Sequence, residues 1–394
     1  MPHRSLERWG ARVRSSGRLA LRHLKVGCVG CAQNPAGESD QGLPVGCARP
    51  VGDERLEMNA TRSPELVCPA GSLRSLQLAV DAGADAVYMG LKDVTNARNF
   101  AGLNFDQKQA RQGVQYARDR GRHVLMALNT YAQAEQPQRW FDAVDMAADI
   151  GVHALILADP GVMAYARRVH PELRLHLSVQ ASATNYEAIE FYRERYGIQR
   201  AVLPRVLTLS QVAHLIRNTK VEIEVFGFGS LCVMVEGRCA LSSYATGQSP
   251  NNAGVCSPPS AVRWDQCGDR VDARLGGILI DRFEPDEPRG YPTLCKGRFD
   301  VDGTVDYAIE EPTSLNTLAI LPELMQAGVS AIKIEGRQRS AAYVEQVTRT
   351  WRQAIDACKA QPERYSVQPA WTTALGRLAE GQQHTLGAFS RPWQ

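Results

Sequence analysis

The sequence predicts a (β/α)8 barrel of the TIM-like kind with a long cysteine-bearing insertion after its seventh strand. Three observations carry that prediction. Eight short apolar runs alternate with amphipathic stretches of roughly 10–15 residues. The runs are nearly continuous in apolar character, as strands of a parallel sheet covered on both faces are. No Gly-x-Gly-x-x-Gly opens the first helix, which sets aside a dinucleotide fold. Eight such units favour closure into a barrel over an open sheet.

In chain order the strand runs are Glu65–Pro69, Ala86–Met89, His123–Leu128, Ala154–Ala158, Arg174–Val179, Ala201–Leu203, Val221–Phe226 and Ala331–Ile334. The expected helices are Ser72–Ala82, Asp106–Arg120, Pro137–Ile150, Gly161–Val169, Tyr186–Tyr196, Ser210–Asn218, Ser314–Ala327 and Ala341–Ala360. Ser72, Asp106 and either Thr208 or Ser210 are placed to cap helix starts by accepting from orphan N–H groups. Gly83 and Gly328 follow helix ends, where a glycine can take positive φ. One connection breaks the rhythm: residues 227–312 stand where about two to six are usual. Long insertions in such barrels sit on the catalytic face.

The first 57 residues read differently from the rest. They hold nine basic and six acidic residues, lack strand or helix periodicity, and contain no signal-peptide core. The expectation is a disordered or mis-started extension, with Met58 as the true beginning and 58–394 as the barrel domain. Cys28 and Cys31 mimic a metal knuckle there, but no second pair completes it. The remainder has 36 basic and 36 acidic residues, so it is a poor candidate for gripping a phosphate backbone, and no nucleic-acid partner is expected. No apolar run of about 18 residues is present, so no membrane span is expected. Ten cysteines without a secretory signal point to the reducing cytoplasm, where thiols serve metals or catalysis.

Five of those ten lie in the insertion: Cys232, Cys239, Cys256, Cys267 and Cys295. Their intervals match neither paired-knuckle zinc spacing nor the compact ferredoxin run, so spacing alone leaves zinc and iron–sulfur equally open. Five scattered histidines, His123, His153, His170, His176 and His214, form no His-Glu-x-x-His.

The segment Gly229–Tyr244 resembles the cysteine segment of the collagenase-like peptidase family. So do Glu65–Gly71, Gly83–Gly90, Gly247–Asn252, Leu294–Arg298 and Lys333–Arg337. The tail Glu380–Ala388 and the closest overall likeness are to the branch serving ubiquinone biosynthesis, and the resemblance runs from about Pro64 to Gln394. It implies a 4Fe–4S cluster on Cys232, Cys239, Cys256 and Cys295, with no role for Cys267. It implies O2-independent hydroxylation of the aromatic ring of a ubiquinone precursor, with prephenate as oxygen donor. The implied partners are a homologous UbiV-like subunit, forming a heterodimer, and a UbiT-like lipid carrier.

A cluster saturated by four thiolates has no open iron position, so one-electron transfer is its natural role. A dicarboxylate donor would need cationic forks at the barrel mouth. Arg205, Glu335 and Arg337 are the candidate catalytic residues at strand ends. Arg98, Asn129, Asp159, Gln180 and Lys333 are the candidate substrate contacts. Alternatively, these polar groups cap helices or pair at the rim. Three other functions compete: hydroxylation of an RNA base, proteolysis, and a non-catalytic iron–sulfur scaffold. Proteolysis is disfavoured, since no nucleophile motif or zinc motif accompanies the family resemblance.

Overall fold

Eight parallel strands pair in a closed ring, each hydrogen-bonded to the next and the last to the first. The computed structural model describes residues 63–99, 102–234, 236, 239–250 and 255–391, so the expected extension at 1–57 lies outside the described residues. The ring consists of β1 (Glu65–Pro69), β2 (Ala86–Gly90), β3 (His123–Leu128), β4 (Ala154–Leu157), β5 (Arg174–Leu177), β6 (Arg200–Val202), β7 (Glu222–Ser230) and, after the insertion, β14 (Ala331–Ile334). The predicted barrel is therefore the observed fold.

Helices α1 (Leu73–Asp81), α2 (Gln107–Arg118), α3 (Gln138–Ile150), α4 (Pro160–Val169), α5 (Tyr186–Tyr196) and α6 (Leu209–Asn218) connect successive strands. Their starts are chemically fixed. Ser72 accepts from the Ser75 N–H, while Asp106 and Thr208 each build a reciprocal capping box with Gln109 and Gln211. The outward residues of the strands, such as Leu66, Val87, Met126 and Leu155, form one buried core with the helices. Trp140 and Trp351 are its largest fully buried members. No helix among the described residues is long and apolar enough to cross a membrane.

The inward residues differ from the continuous apolar character expected. Val67, Ala86, Tyr88, Leu125, Ala127, Ala154, Ile156 and Ala331 form a separate small cluster. Alternate positions of β6, β7 and β14 carry Arg200, Glu222, Glu224 and Lys333 instead. Period-two alternation sends these to the barrel interior, where alanines leave room for long side chains. Arg200 reaches Glu222 at 2.7 Å, Glu65 at 2.9 Å and Glu224 at 3.5 Å. Lys333 Nζ donates to Glu224 at 2.6 Å.

His176, on β5, sits beside this network with Nε2 accepting from Arg174 at 3.0 Å and Nδ1 unpartnered. Burial, then the charges of Arg200, Arg174, Lys333 and His153, hold it well below 6.5. The folded chain thus keeps His176 neutral, while the unfolded chain takes up a proton below about pH 6.5. Stability from this group is intact above that pH and falls as pH drops, by up to about 1.4 kcal/mol per pH unit. His176→Gln should flatten that slope in acid melts; an unchanged slope would assign the acid sensitivity elsewhere.

The seventh expected helix is corrected. Residues Ser314–Asn316 form β13, antiparallel to the end of β7 with Ser314 opposite Ser230, and the helix α8 is only Leu321–Gln326. Gly227 O accepts from Thr317 N at 2.9 Å, which holds that crossing in place. The insertion itself contains α7 (Ala240–Thr246), a three-stranded antiparallel sheet of β8 (Val262–Cys267), β9 (Arg270–Leu275) and β10 (Ile278–Phe283), and a hairpin of β11 (Arg298–Val301) and β12 (Thr304–Tyr307). The chain continues through α9 (Ala341–Ala360) and α10 (Pro369–Gly376) to β15 (His384–Thr385), which pairs with β13.

Candidate functional site

Ser230, the last residue of β7, gathers the elements of the site. Its N–H donates to Glu335 Oε2 at 3.3 Å, and its carbonyl accepts from Arg205 Nη1 at 2.6 Å. Its Oγ lies 3.1 Å from Glu380 Oε1 and 3.4 Å from Lys296 Nζ. Lys296 also forms an ion pair with Glu380 and donates to the Thr313 carbonyl at 3.3 Å. The turn bearing Cys295 is thereby tied to the barrel and to the C-terminal tail through the residue that follows it. Gly229 is required for this geometry: its φ is +130°, and a Cβ there would stand 2.6 Å from that of Glu335.

The four cysteines come from four local structures: Cys232 just past β7, Cys239 at the start of α7, Cys256 before a short turn, and Cys295 within the 3-10 turn Leu294–Lys296. Burial, then the charges of Cys256, Cys232 and Cys239 together with an opposing Lys296, push the Cys295 thiol up to about 12. Burial, then Glu236, pushes Cys232 up to about 11, with Cys256 contributing. Cys295 thus feels the other three thiols, and Cys232 feels Cys256. Among the described residues, no three His, Cys, Asp or Glu side chains converge on one point for a single metal ion. A 4Fe–4S cubane takes one thiolate per iron and needs no such convergence; four thiols match that group in number and kind. Cys68 and Cys358 are buried in the core, and Cys267 is exposed at the end of β8, outside this group.

The candidate polar residues divide into two sets. Glu335, Arg337, Arg98 and Lys333 surround Tyr88: Lys333 Nζ lies 4.0 Å and the Arg337 guanidinium 5.8 Å from its ring, and Glu335 and Arg98 act on it electrostatically. Tyr88 Oη donates to the Ile334 carbonyl at 2.9 Å. The second set ties loops together. Asp159 caps α4 through Val162 N and accepts from Ala132 N at 3.0 Å. Asn129 accepts from Ala97 N at 3.0 Å and donates to Ser178 Oγ at 3.3 Å. Gln180 is buried with Oε1 unpartnered. Arg205 is buried, bonded to Glu236 Oε1 at 2.8 Å, and stacked 4.1 Å over Phe226; its fork serves the Cys232 segment.

Sequence reasoning assigned no role to Ser230, Glu236, Lys296, Glu380 or Tyr88. All five lie inside the quoted motif stretches, Ser230 within the cysteine segment itself, just before Leu231 and Cys232. A cleft at the opposite barrel end, lined by Glu65, Asp85, Arg122, His123 and Arg352 among others, lies away from all these groups.

The profile of Peptidase family U32 matches residues 71–391. The chain belongs to peptidase family U32. Within U32 it is 31% identical over 329 residues to the tRNA hydroxylation protein P1 of Bacillus subtilis, covering 84% of this chain and 71% of that protein. It is 33% identical over 298 residues to an uncharacterized protease of Methanocaldococcus jannaschii, covering 74% and 65%. The tRNA hydroxylation protein P of Escherichia coli is 31% identical over 347 residues, covering 82% and 72%. The chain thus spans about two thirds of the length of one of these U32 relatives and somewhat more of the other two. Hydroxylation thus occurs by name among these relatives, alongside a protease. Proteolysis needs a nucleophile with a base in reach. Among the described residues, no Ser, Thr or Cys side chain hydrogen-bonds a histidine; His170 pairs with Asp145 and His384 with Asn316.

Proposed function

We propose that the chain is a UbiU-like iron–sulfur subunit of an O2-independent hydroxylase acting on the aromatic ring of a ubiquinone precursor in the cytoplasm. It would work with a homologous UbiV-like subunit in a heterodimer and a UbiT-like lipid carrier that presents the substrate. What supports this reading is the insertion after β7, which carries Cys232, Cys239, Cys256 and Cys295 in a barrel of family U32. Names of U32 relatives support the hydroxylation class.

Replacing a ring C–H by C–OH needs an oxygen atom and an acceptor for two electrons. With O2 absent, prephenate is the proposed donor. The bound cluster would supply one-electron transfer, since four thiolates leave it no open iron, passing the two electrons one at a time to an external electron acceptor. The chain's own side chains do the holding. Arg205 and Glu236 neutralise one another behind the Cys232 segment, and Lys296 with Glu380 anchors the Cys295 turn. Glu335, through the Ser230 N–H, fixes β7 against the end of β14.

A tRNA base is the second reading, favoured by the names of the relatives and opposed by a body with equal numbers of basic and acidic residues. Removing the gene from its host under anaerobic growth separates the two. Loss of ubiquinone with accumulation of an under-hydroxylated precursor, and unchanged tRNA modification, is the expected result. Loss of a tRNA base hydroxylation with the quinone pool intact would transfer the proposal to RNA.

A further inference from the structure

Five cationic side chains are buried among the described residues, and four have a carboxylate: Arg200 with Glu222, Arg205 with Glu236, Lys296 with Glu380, and Lys333 with Glu224. Arg337 is the fifth. It is 4% exposed, Nη1 is sealed from solvent without a partner, and its side chain forms no hydrogen bond or ion pair among the described residues. The adjacent carboxylate, Glu335, is turned to the Ser230 N–H instead. A buried charge left without a partner is strongly destabilising, so this arrangement calls for a counter-charge that no described residue supplies.

The guanidinium is held by packing. A Cβ on Gly90 would stand 2.4 Å from Nη1, and one on Gly71 would stand 2.0 Å from the Arg337 carbonyl oxygen. The fork is therefore positioned before any ligand comes. It lies just past the C-terminal end of β14, at the barrel mouth, 5.8 Å from the Tyr88 ring. Burial, with the charge of Arg98, lowers Arg337 to about 10, so it remains cationic at neutral pH.

We propose that Arg337 is the receptor for the carboxylate of a small organic acid entering the barrel mouth, with Arg98 as a second, outer contact. A planar carboxylate matches one guanidinium in shape and charge. A phosphate brings nearly two charges and more acceptor oxygens than one fork satisfies. The inference deepens the proposed function, in which an organic acid supplies the oxygen. Its test involves no turnover, so either idea can fail alone.

The anaerobically purified full chain is titrated by calorimetry with malonate, benzoate and inorganic phosphate, and melted without ligand. Expected is binding of a carboxylate probe in preference to phosphate, weakened about ten- to hundredfold in Arg337→Gln and partly in Arg98→Gln. Ligand-free Arg337→Gln should melt at or above the wild-type temperature, because an unpaired buried charge is gone. Carboxylate binding that survives Arg337→Gln, or phosphate bound in place of both carboxylates, would overturn the assignment. Should Arg337→Gln fail to fold, Arg337 is structural and the proposal falls, unless Arg98→Gln, at a half-buried position, weakens carboxylate binding in a folded chain.

Discussion

Replacing Cys232 and Cys239 together by alanine is expected to remove the iron and acid-labile sulfide from the chain while the barrel stays folded. The wild-type stoichiometry under the proposed reading is about four of each per chain, one thiolate holding each iron. Losing two of four ligands leaves half the irons without a protein anchor. The fold should survive because the ring closes without these residues: β7 pairs with β6 and β14 upstream of Ser230, and both thiols are only half-buried. Far-ultraviolet circular dichroism should therefore match wild type while the visible absorbance disappears. Cys267→Ala serves as the control, being exposed and outside the group, and should keep its iron. Full iron and sulfide in the double variant would show that the ligands lie elsewhere.

Glu224→Gln should produce a large loss of stability. Glu224 is wholly buried, bonded to Lys333 at 2.6 Å and facing Arg200 at 3.5 Å. Arg200 keeps Glu222 and Glu65, but Lys333 would lose its counter-charge and keep a neutral amide and the Tyr88 ring at 4.0 Å. Burial already lowers Lys333 from its ordinary value against the pull of Glu224. Breaking a buried pair costs about 3–5 kcal/mol, a large share of the roughly 5–15 kcal/mol that holds a typical domain together. A fall of about 10 °C in melting temperature follows from the usual scaling for a domain of this size. Glu224→Leu combined with Lys333→Met should recover much of that loss, because both charges leave together. A single variant within about 1 kcal/mol of wild type would mean that water or Arg200 compensates.

The barrel was legible because its signal is local. The boundaries expected for Glu65–Pro69, His123–Leu128, Tyr186–Tyr196, Ala331–Ile334 and Ala341–Ala360 coincide with the observed elements. Each is an apolar run or helical face bounded by turn residues. The misreading at Ser314–Ala327 has the opposite cause. β13 exists because it pairs with the end of β7, more than eighty residues earlier, and no local period reports that. The pairing of Glu224 with Lys333 and Arg200 was hidden for a related reason: the three stand on different strands, and only ring closure brings them together. At the site, the insertion after β7 and its cysteines could be read from spacing and resemblance. The unpaired state of Arg337 could not, because it depends on where Glu335 turns and on Gly90 lacking a side chain.

Under the proposed function, this U32 barrel carries an iron–sulfur cluster on four insertion cysteines. Metal and sulfide analysis of the full chain, purified and assayed without oxygen, tests it most directly. The account predicts about four iron and four sulfide per chain, with a visible absorbance that bleaches in air. Stoichiometric zinc without sulfide, or no metal and no sulfide at all, would contradict it.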